Sequence, residues 1–183
     1  GNWNHAWAWP LASAPFGMVL GVNPLELLFV FLWVLFIVLF YEHFIERDIG
    51  SKVSPRIIFA IAPGLLVTGF VIFAAFFNTA LITWQYAYLV LAILAIIPAL
   101  FLFVRKPRLF GKILLPGLFF IPFHLVYEIV GLLTGQWEFT GQYVALIPLI
   151  GGTAVPVEEF VIWIIFGSTI VLSYYELYID DGK

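Results

Sequence analysis

The stretch "PLELLFVFLWVLFIVLFYEHFI", residues 24–45, decides the fold class, because its charged residues stand only near its two ends. A helix of about 20 mostly apolar residues spans the hydrocarbon core of a bilayer. The whole chain has the same character, since 63% of its 183 residues are hydrophobic and only 10% are charged. A soluble domain of this size cannot keep so much apolar surface out of water. The sequence therefore predicts an integral membrane protein.

Four more apolar stretches follow this one, and each predicts a helix that crosses the membrane. The five predicted helices, named A to E in chain order, cover approximately residues 24–45, 56–77, 80–104, 109–133 and 156–178. The link between helices D and E, residues 134–155, is long and rich in glycine. The expected fold is all-α, a polytopic bundle of about five transmembrane helices.

All eight Lys and Arg residues fall on one side of this predicted topology. They lie between helices A and B, between helices C and D, and after helix E. By the positive-inside rule this side is cytoplasmic, so the N-terminal stretch and the D–E link are expected on the outer side of the cell membrane. The N-terminal stretch contains Trp3, Trp7 and Trp9, and Trp favours the depth of the membrane interface.

Three further features of the composition narrow the function. The chain has no cysteine, which excludes disulfides and thiolate metal sites. His5, His43 and His124 lie far apart and show no ligand spacing, so no metal is expected. The net charge of −3 is not typical of a nucleic-acid-binding protein. Since no cofactor motif is present either, the expected partners are membrane lipid and an apolar substrate.

The chain contains an internal repeat. The matching stretches are "HAWAWP" (5–10) with "GQWEFTG" (135–141), "NPLELLF" (23–29) with "VPVEEFV" (155–161), and "YEHFIERD" (41–48) with "YELYIDDG" (175–182). Predicted helices A and E both run from the outer to the inner side. We therefore expect a parallel repeat, whose axis lies along the membrane normal.

The repeat divides the chain into three parts. Residues 1–50 are expected to form the C-terminal part of a first copy, 51–79 a linking helix B, and 80–183 a second copy with helices C, D and E. The second copy has two helices before its Trp motif, whereas the first copy has none. Two upstream helices are therefore expected to be missing or to come from a second subunit.

Four glutamates lie at similar depth near the outer ends of the predicted helices: Glu26, Glu128, Glu158 and Glu159. Carboxyls at membrane depth are costly and usually functional. The alternative is a plain helix start, since an acid in the first turn stabilises a helix by about 0.3–1 kcal/mol. Glu128 does not fit that alternative, because it lies near the end of helix D. Adjacent helical residues face different ways. Since Glu158 matches Glu26 in the repeat, we expect Glu158 to face the site and Glu159 to tune the pKa of Glu158.

Aromatic side chains accompany these carboxyls. The residues expected to bind the substrate are Trp7, Trp9, Phe123, His124, Trp137, Phe139 and Trp163. For His124, one turn before Glu128, a hydrogen-bonded packing role is the simpler interpretation. Protonation of an alkene suits a carboxylic acid among aromatic rings, because cation–π attraction is worth ~2 kcal/mol or more when desolvated. A neighbouring carboxylate can then take a proton back.

The stretches "YEIVGLLTGQWEF" (127–139) and "VPVEEF" (155–160) resemble the cofactor-independent, membrane-embedded lycopene cyclases of the heterodimeric or fused type. These occur in bacteria and archaea and as the cyclase part of fungal bifunctional carotenoid enzymes. Pro24 and Glu26 match the first-copy motif, whereas Leu27 departs from its second acid. Glu128 stands where the family usually has Asp.

The resemblance implies that the substrate is lycopene or a related linear carotenoid. An acid would protonate the terminal double bond of a ψ-end, the next double bond would close the ring, and a proton would leave to give a β-ring. The catalytic residues implied in this way are Glu158, Glu128, Glu159 and Glu26. No cofactor is needed for this isomerisation.

Three alternatives remain at this point. A non-catalytic membrane module could bind a carotenoid or another isoprenoid lipid with the same aromatic groove. A glutamate-type intramembrane metalloprotease would carry Glu-Glu-x-x-x-Arg, but Trp163 occupies the Arg position. A proton-coupled transporter also uses intramembrane acids, but these acids cluster at one interface and form no relay across the membrane.

Overall fold

The computed structural model describes residues 23–46, 57–77 and 86–179. Most of these residues are helical, which confirms the predicted helical character of the chain. Trp7 and Trp9, the A–B link and the first residues of predicted helix C lie outside the described ranges.

Six α-helices are present in the described ranges. They are α1 (Pro24–Tyr41), α2 (Ile57–Phe77), α3 (Ala87–Arg105), α4 (Phe110–Leu133), α5 (Val157–Glu159) and α6 (Gly167–Tyr178). Two π-helical segments, Glu42–Glu46 and Phe160–Ile165, continue α1 and α5. A short 3-10 helix, Pro107–Leu109, leads into α4.

The start of α1 is defined by its first residues. The side chain of Asn23 accepts a hydrogen bond from the Leu25 N–H at 3.1 Å, which satisfies a donor that has no partner within the helix. Pro24 occupies the first helical position, where its missing N–H costs nothing. Glu26 is thereby held in the first turn of α1.

Two helical segments in the described ranges are long and apolar enough to cross a membrane, Pro24–Glu46 and Pro107–Leu133. A third candidate is the pair Val157–Ile165 and Gly167–Tyr178, whose two halves meet at 53°. These segments correspond to predicted helices A, D and E. That predicted helices B and C also cross the membrane stays a prediction.

The last segment differs from the single helix E that the sequence predicts. The Phe166 N–H donates to the Val161 carbonyl at 3.0 Å, five residues back rather than four. Such π-helical turns are a known cause of kinks. Gly167 follows directly, and a Cβ there would lie 3.3 Å from Cε1 of His124. The bend thus lies where α4 packs against this segment.

Helix α6 is central in the bundle and packs against α1, α3 and α4. The buried core residues are Ile37, Tyr41, Leu102, Leu109, Ile113, Phe120 and Leu172. Glu26 at the start of α1 interacts with Glu159 near the start of the α5–α6 segment, and Tyr41 at the end of α1 contacts Glu176 near the end of α6. Helix α1 and the α5–α6 segment therefore run side by side in the same direction.

Two tyrosine–glutamate pairs join the ends of these two segments. Tyr41 donates a hydrogen bond to Glu176, and Tyr175 donates one to Glu42 at 2.5 Å. Tyr41 and Glu176 are fully buried. The two Tyr-Glu sequences of the predicted repeat thus exchange partners with each other.

The link between α4 and α5 folds back on itself as a short β-hairpin, which the all-α prediction did not include. Strands β1 (Leu146–Pro148) and β2 (Ala154–Pro156) pair antiparallel, with Ile147 opposite Val155. Gly151 and Gly152 in the turn have φ angles of 77° and 78°, a conformation that favours glycine. The hairpin brings the link back to the start of α5.

Candidate active site

Three segments bring carboxyl side chains together where α1 begins. Glu26 lies in the first turn of α1, Glu128 near the end of α4, and Glu159 in α5. Glu26 interacts electrostatically with both Glu128 and Glu159. Glu128 and Glu159 are only 2% and 8% exposed. We call these three residues the carboxyl cluster.

Tyr127 holds the first member of the carboxyl cluster. Its hydroxyl donates to both carboxylate oxygens of Glu26, at 3.0 Å to Oε2 and 3.3 Å to Oε1. Its ring stacks on Phe29 with centroids 4.1 Å apart and planes 3° apart, and it also packs against Trp137 at 4.8 Å. The three rings form one aromatic stack beside the cluster.

Trp137 holds the second member. Its indole Nε1–H donates to Oε2 of Glu128 at 3.2 Å. The chain returns to Glu128 because α4 ends in a tight turn, in which the Gln136 N–H bonds the Gly131 carbonyl at 2.8 Å and Gly135 adopts a φ of 65°. A Cβ on Gly131 would collide with the indole ring. Glycine at this position therefore permits the contact between Trp137 and Glu128.

Glu158 contacts the link between α4 and α5. Its Oε1 accepts a hydrogen bond from the Val144 N–H at 2.8 Å. Its Oε2 is buried and has no hydrogen-bond partner in the described part of the chain. The two adjacent glutamates make different contacts, since Glu159 interacts electrostatically with Glu26, whereas Glu158 accepts from the Val144 N–H. That Glu158 is the main site residue stays a prediction.

Tyr143 lies near Glu158 in the link. Burial raises the pKa of its hydroxyl, Glu158 acts in the same direction, and a hydrogen bond from the Gly141 N–H opposes both. That N–H donates to the Tyr143 oxygen at 3.1 Å. Phe139, an expected substrate-binding residue, meets the Tyr143 ring edge-on at 6.0 Å. Tyr143 and Phe139 thus belong to the surroundings of Glu158 and not to the aromatic stack.

His124 is held as a neutral packing group. The Trp33 indole N–H, which can only donate, lies 2.6 Å from Nε2, so this nitrogen is the acceptor. Nδ1 lies 3.2 Å from the Ile164 carbonyl, which can only accept, so Nδ1 carries the proton. Trp163 stacks on the imidazole at 4.8 Å. Both ring nitrogens are occupied, which leaves neither for proton transfer to a substrate.

Aromatic side chains continue from the carboxyl cluster along α1 and α4. The members of this aromatic ladder are Phe29, Trp33, Phe36 and Phe40 on α1, and Phe119, Phe120 and Phe123 on α4. Phe40 stacks on Phe119 at 4.6 Å, and Phe36 meets Phe120 edge-on at 5.5 Å. Phe36, Phe119 and Phe123 are each 46% exposed. The ladder is therefore accessible from the side of the bundle.

The sequence did not identify Tyr127, Phe29, Trp33 or Tyr143 as site residues. A signal was available on α1, since Phe29 and Trp33 follow Glu26 at helical spacings of three and seven and so share its face. Tyr127 has no such signal. Residues 26 and 127 are distant in sequence, so their hydrogen bond depends on how α1 and α4 pack.

Comparison with protein families, with curated proteins and with solved structures found no match. Within the described ranges, no group of three or more His, Cys, Asp or Glu side chains is arranged to hold a metal ion.

Proposed function

We propose that the protein is a membrane-embedded carotenoid cyclase, which closes the ψ-ends of lycopene or a related linear carotenoid to β-rings. The observation that carries the proposal is the carboxyl cluster, in which Glu26 interacts electrostatically with Glu128 and Glu159 beside the stack of Phe29, Tyr127 and Trp137. A group of carboxyls can supply one proton and accept another. Aromatic faces stabilise positive charge in a desolvated site.

The proposed reaction is an isomerisation with one proton donor and one proton acceptor. A carboxylic acid protonates the terminal double bond, whose π electrons form the new C–H bond and leave a tertiary cation. The next double bond attacks this cation and forms the ring C–C bond, which moves the charge to a second tertiary carbon. A carboxylate then removes a proton from the neighbouring carbon, and the C–H electrons become the ring double bond. Substrate and product are isomers, so no oxidant or reductant is consumed.

The aromatic ladder is the proposed path of the polyene chain. From Phe29 to Phe40 it follows roughly 16 Å of helix at the usual rise per residue. Its half-exposed side chains are open to the hydrocarbon core, where a carotenoid dissolves. A polyene lying along the ladder places its end group at the carboxyl cluster, because the ladder begins there.

We assign the proton donor to Glu128, Glu158 or Glu159. Glu26 is left out because both of its oxygens already accept the Tyr127 hydroxyl. Glu128 and Glu159 share the cluster with Glu26. Glu158 remains a candidate donor because its Oε2 is buried and has no hydrogen-bond partner in the described residues.

The same proposal includes a five-helix bundle with a parallel repeat in the cell membrane, with the Lys- and Arg-rich loops and the C-terminus in the cytoplasm. The parallel course of α1 and the α5–α6 segment supports the repeat. So does the exchange of hydrogen bonds between Tyr41-Glu42 and Tyr175-Glu176.

Pigment analysis tests the function directly. Expression in a host that makes lycopene should yield carotenoids with β-rings, identified by chromatography and absorption spectra. Glu138→Gln is the matched control, because Glu138 is an exposed acid in the link. A protein that co-purifies with unchanged lycopene and forms no rings would be a carotenoid-binding module, which the accessible ladder would also suit, and the cyclase proposal would be wrong.

A further inference from the structure

Glu26 and Glu128 accept different hydrogen bonds from the aromatic stack. Tyr127 donates to both oxygens of Glu26, whereas Trp137 donates to one oxygen of Glu128, Oε2. The single Tyr127 O–H is shared between both oxygens of Glu26, a geometry that suits the two equivalent oxygens of a carboxylate better than the unlike oxygens of a neutral acid. The other oxygen of Glu128 can hold a proton without displacing Trp137.

We propose that Tyr127 is a positioning residue that keeps Glu26 ionised and so makes Glu26 the base that removes the ring proton. The base role rests on the proposed cyclase function. The ionisation of Glu26 is a property of the resting protein and can be measured without any substrate.

The neighbours of Glu26 explain why one donor can decide which carboxyl is charged. Tyr127 and Glu128 reach it from α4, and Glu159 reaches it from α5. Like charges close together in apolar surroundings do not all ionise, so the cluster shares its protons among three groups. A hydrogen bond to an ionised group is stronger than one to a neutral group. The donor at Glu26 therefore localises negative charge there.

The position of the Tyr127 hydroxyl is itself held by packing. Phe29 stacks on one side of the phenol ring, and Trp137 also packs against the ring. These contacts involve the ring and not the hydroxyl. Tyr127→Phe thus removes the hydrogen bond to Glu26 and leaves the stack in place, which makes it a clean test of the hydroxyl.

The test is infrared spectroscopy of the purified protein in lipid nanodiscs near neutral pH, without substrate. Protonated and ionised carboxyls absorb in separate bands. In the background Glu128→Gln/Glu159→Gln, where Glu26 is the one remaining carboxyl of the cluster, adding Glu26→Gln should remove intensity from the carboxylate band and none from the protonated band. Tyr127→Phe should add a protonated-carboxyl band, and this band should be absent from the double variant Tyr127→Phe/Glu26→Gln. Tyr86→Phe, on an exposed tyrosine outside the cluster, should change neither band.

In the Glu128→Gln/Glu159→Gln background no other carboxyl of the cluster can change its own ionisation when Glu26 is replaced. Loss of protonated-carboxyl intensity on adding Glu26→Gln in that background would overturn the proposal, and this measurement does not depend on whether Tyr127→Phe folds. In the activity arm, Tyr127→Phe should lower kcat about tenfold with little change in KM. Its rate should also need a higher pH to reach half its maximum, because the base has lost its hydrogen-bond donor.

If wild type is active but Tyr127→Phe changes neither the infrared bands nor the pH profile, the positioning role is wrong and the cyclase proposal stands. If wild type forms no rings, the proposed function and the base role fail together, and the bands alone decide the ionisation of Glu26.

Discussion

The hydroxyl of Tyr41 donates a hydrogen bond to the buried carboxyl of Glu176, and so joins the end of α1 to α6. The corresponding residues of the predicted repeat make the reciprocal contact, since Tyr175 donates to Glu42. Exchange of equivalent partners is the contact pattern that a two-fold axis produces. An axis parallel to the two helices would also make them run in the same direction, which they do.

The first prediction concerns this pair. Tyr41→Phe should destabilise the protein by about 1–3 kcal/mol, because the buried Glu176 loses a donor. Thermal unfolding in detergent should show a lower Tm. Tyr175→Phe should have a smaller effect, because Tyr175 is only partly buried. Tyr178→Phe is the control; a Tm for Tyr41→Phe equal to that of the control would contradict the importance of the contact.

The second prediction separates the two adjacent glutamates. Glu159→Gln should lower cyclisation about a hundredfold or more, because it removes an ionisable member of the carboxyl cluster. Glu158→Gln should retain more activity than Glu159→Gln, since Glu158 faces the link through Val144. Ring formation per unit of folded protein is the measurement. The reverse order would return the main role to Glu158, as the sequence repeat predicts.

The third prediction concerns Gly131. Gly131→Ala should displace Trp137 from Glu128, because the added Cβ would collide with the indole ring. Ring formation should fall, and Trp fluorescence of the purified protein should change. Gly111→Ala is the matched control on the same helix, since nothing lies within 4 Å of a Cβ there. Equal activity of the two variants would show that the Trp137 contact is dispensable.

The fourth prediction tests the proton donor. Protonation of the terminal alkene leaves the added hydrogen on a ring carbon, and a carboxyl exchanges its proton with water between turnovers. Cyclisation in heavy water should therefore introduce one deuterium into each new ring, detected by mass spectrometry. Rings formed in heavy water without deuterium would exclude Glu128, Glu158 and Glu159 as donors.

The fifth prediction tests the topology. The chain has no cysteine, so single cysteines can be labelled without further changes. A cysteine at Pro107 should react only from the cytoplasmic side, and one at Gln142 only from the outer side, because α4 separates them. Ser51→Cys should label like Pro107→Cys. Labelling of positions 107 and 142 from the same side would rule out a spanning α4.

The order of the residues by itself determined where the apolar helices lie. Predicted helices A and D correspond closely to Pro24–Glu46 and Pro107–Leu133, because long apolar runs and the Asn23-Pro24 start are local signals. The bend at Phe166 was not predictable in this way. The bend lies against His124 of α4, whose Nδ1–H donates to the Ile164 carbonyl. No local sequence pattern predicts a contact between two helices that are distant in sequence.

The sequence alone also determined that Glu158 and Glu159 face different ways, since neighbours on a helix are about 100° apart. Only the tertiary structure decided which partner each of them takes, Glu26 for Glu159 and the Val144 N–H for Glu158. That choice depends on the rotation of α5 about its own axis. The rotation is held by the returning link, where the Val144 N–H binds Glu158 and the Val157 N–H binds the Ala145 carbonyl. The Tyr127–Glu26 bond likewise joins α1 to α4, and helix periodicity carries no information about contacts between separate helices.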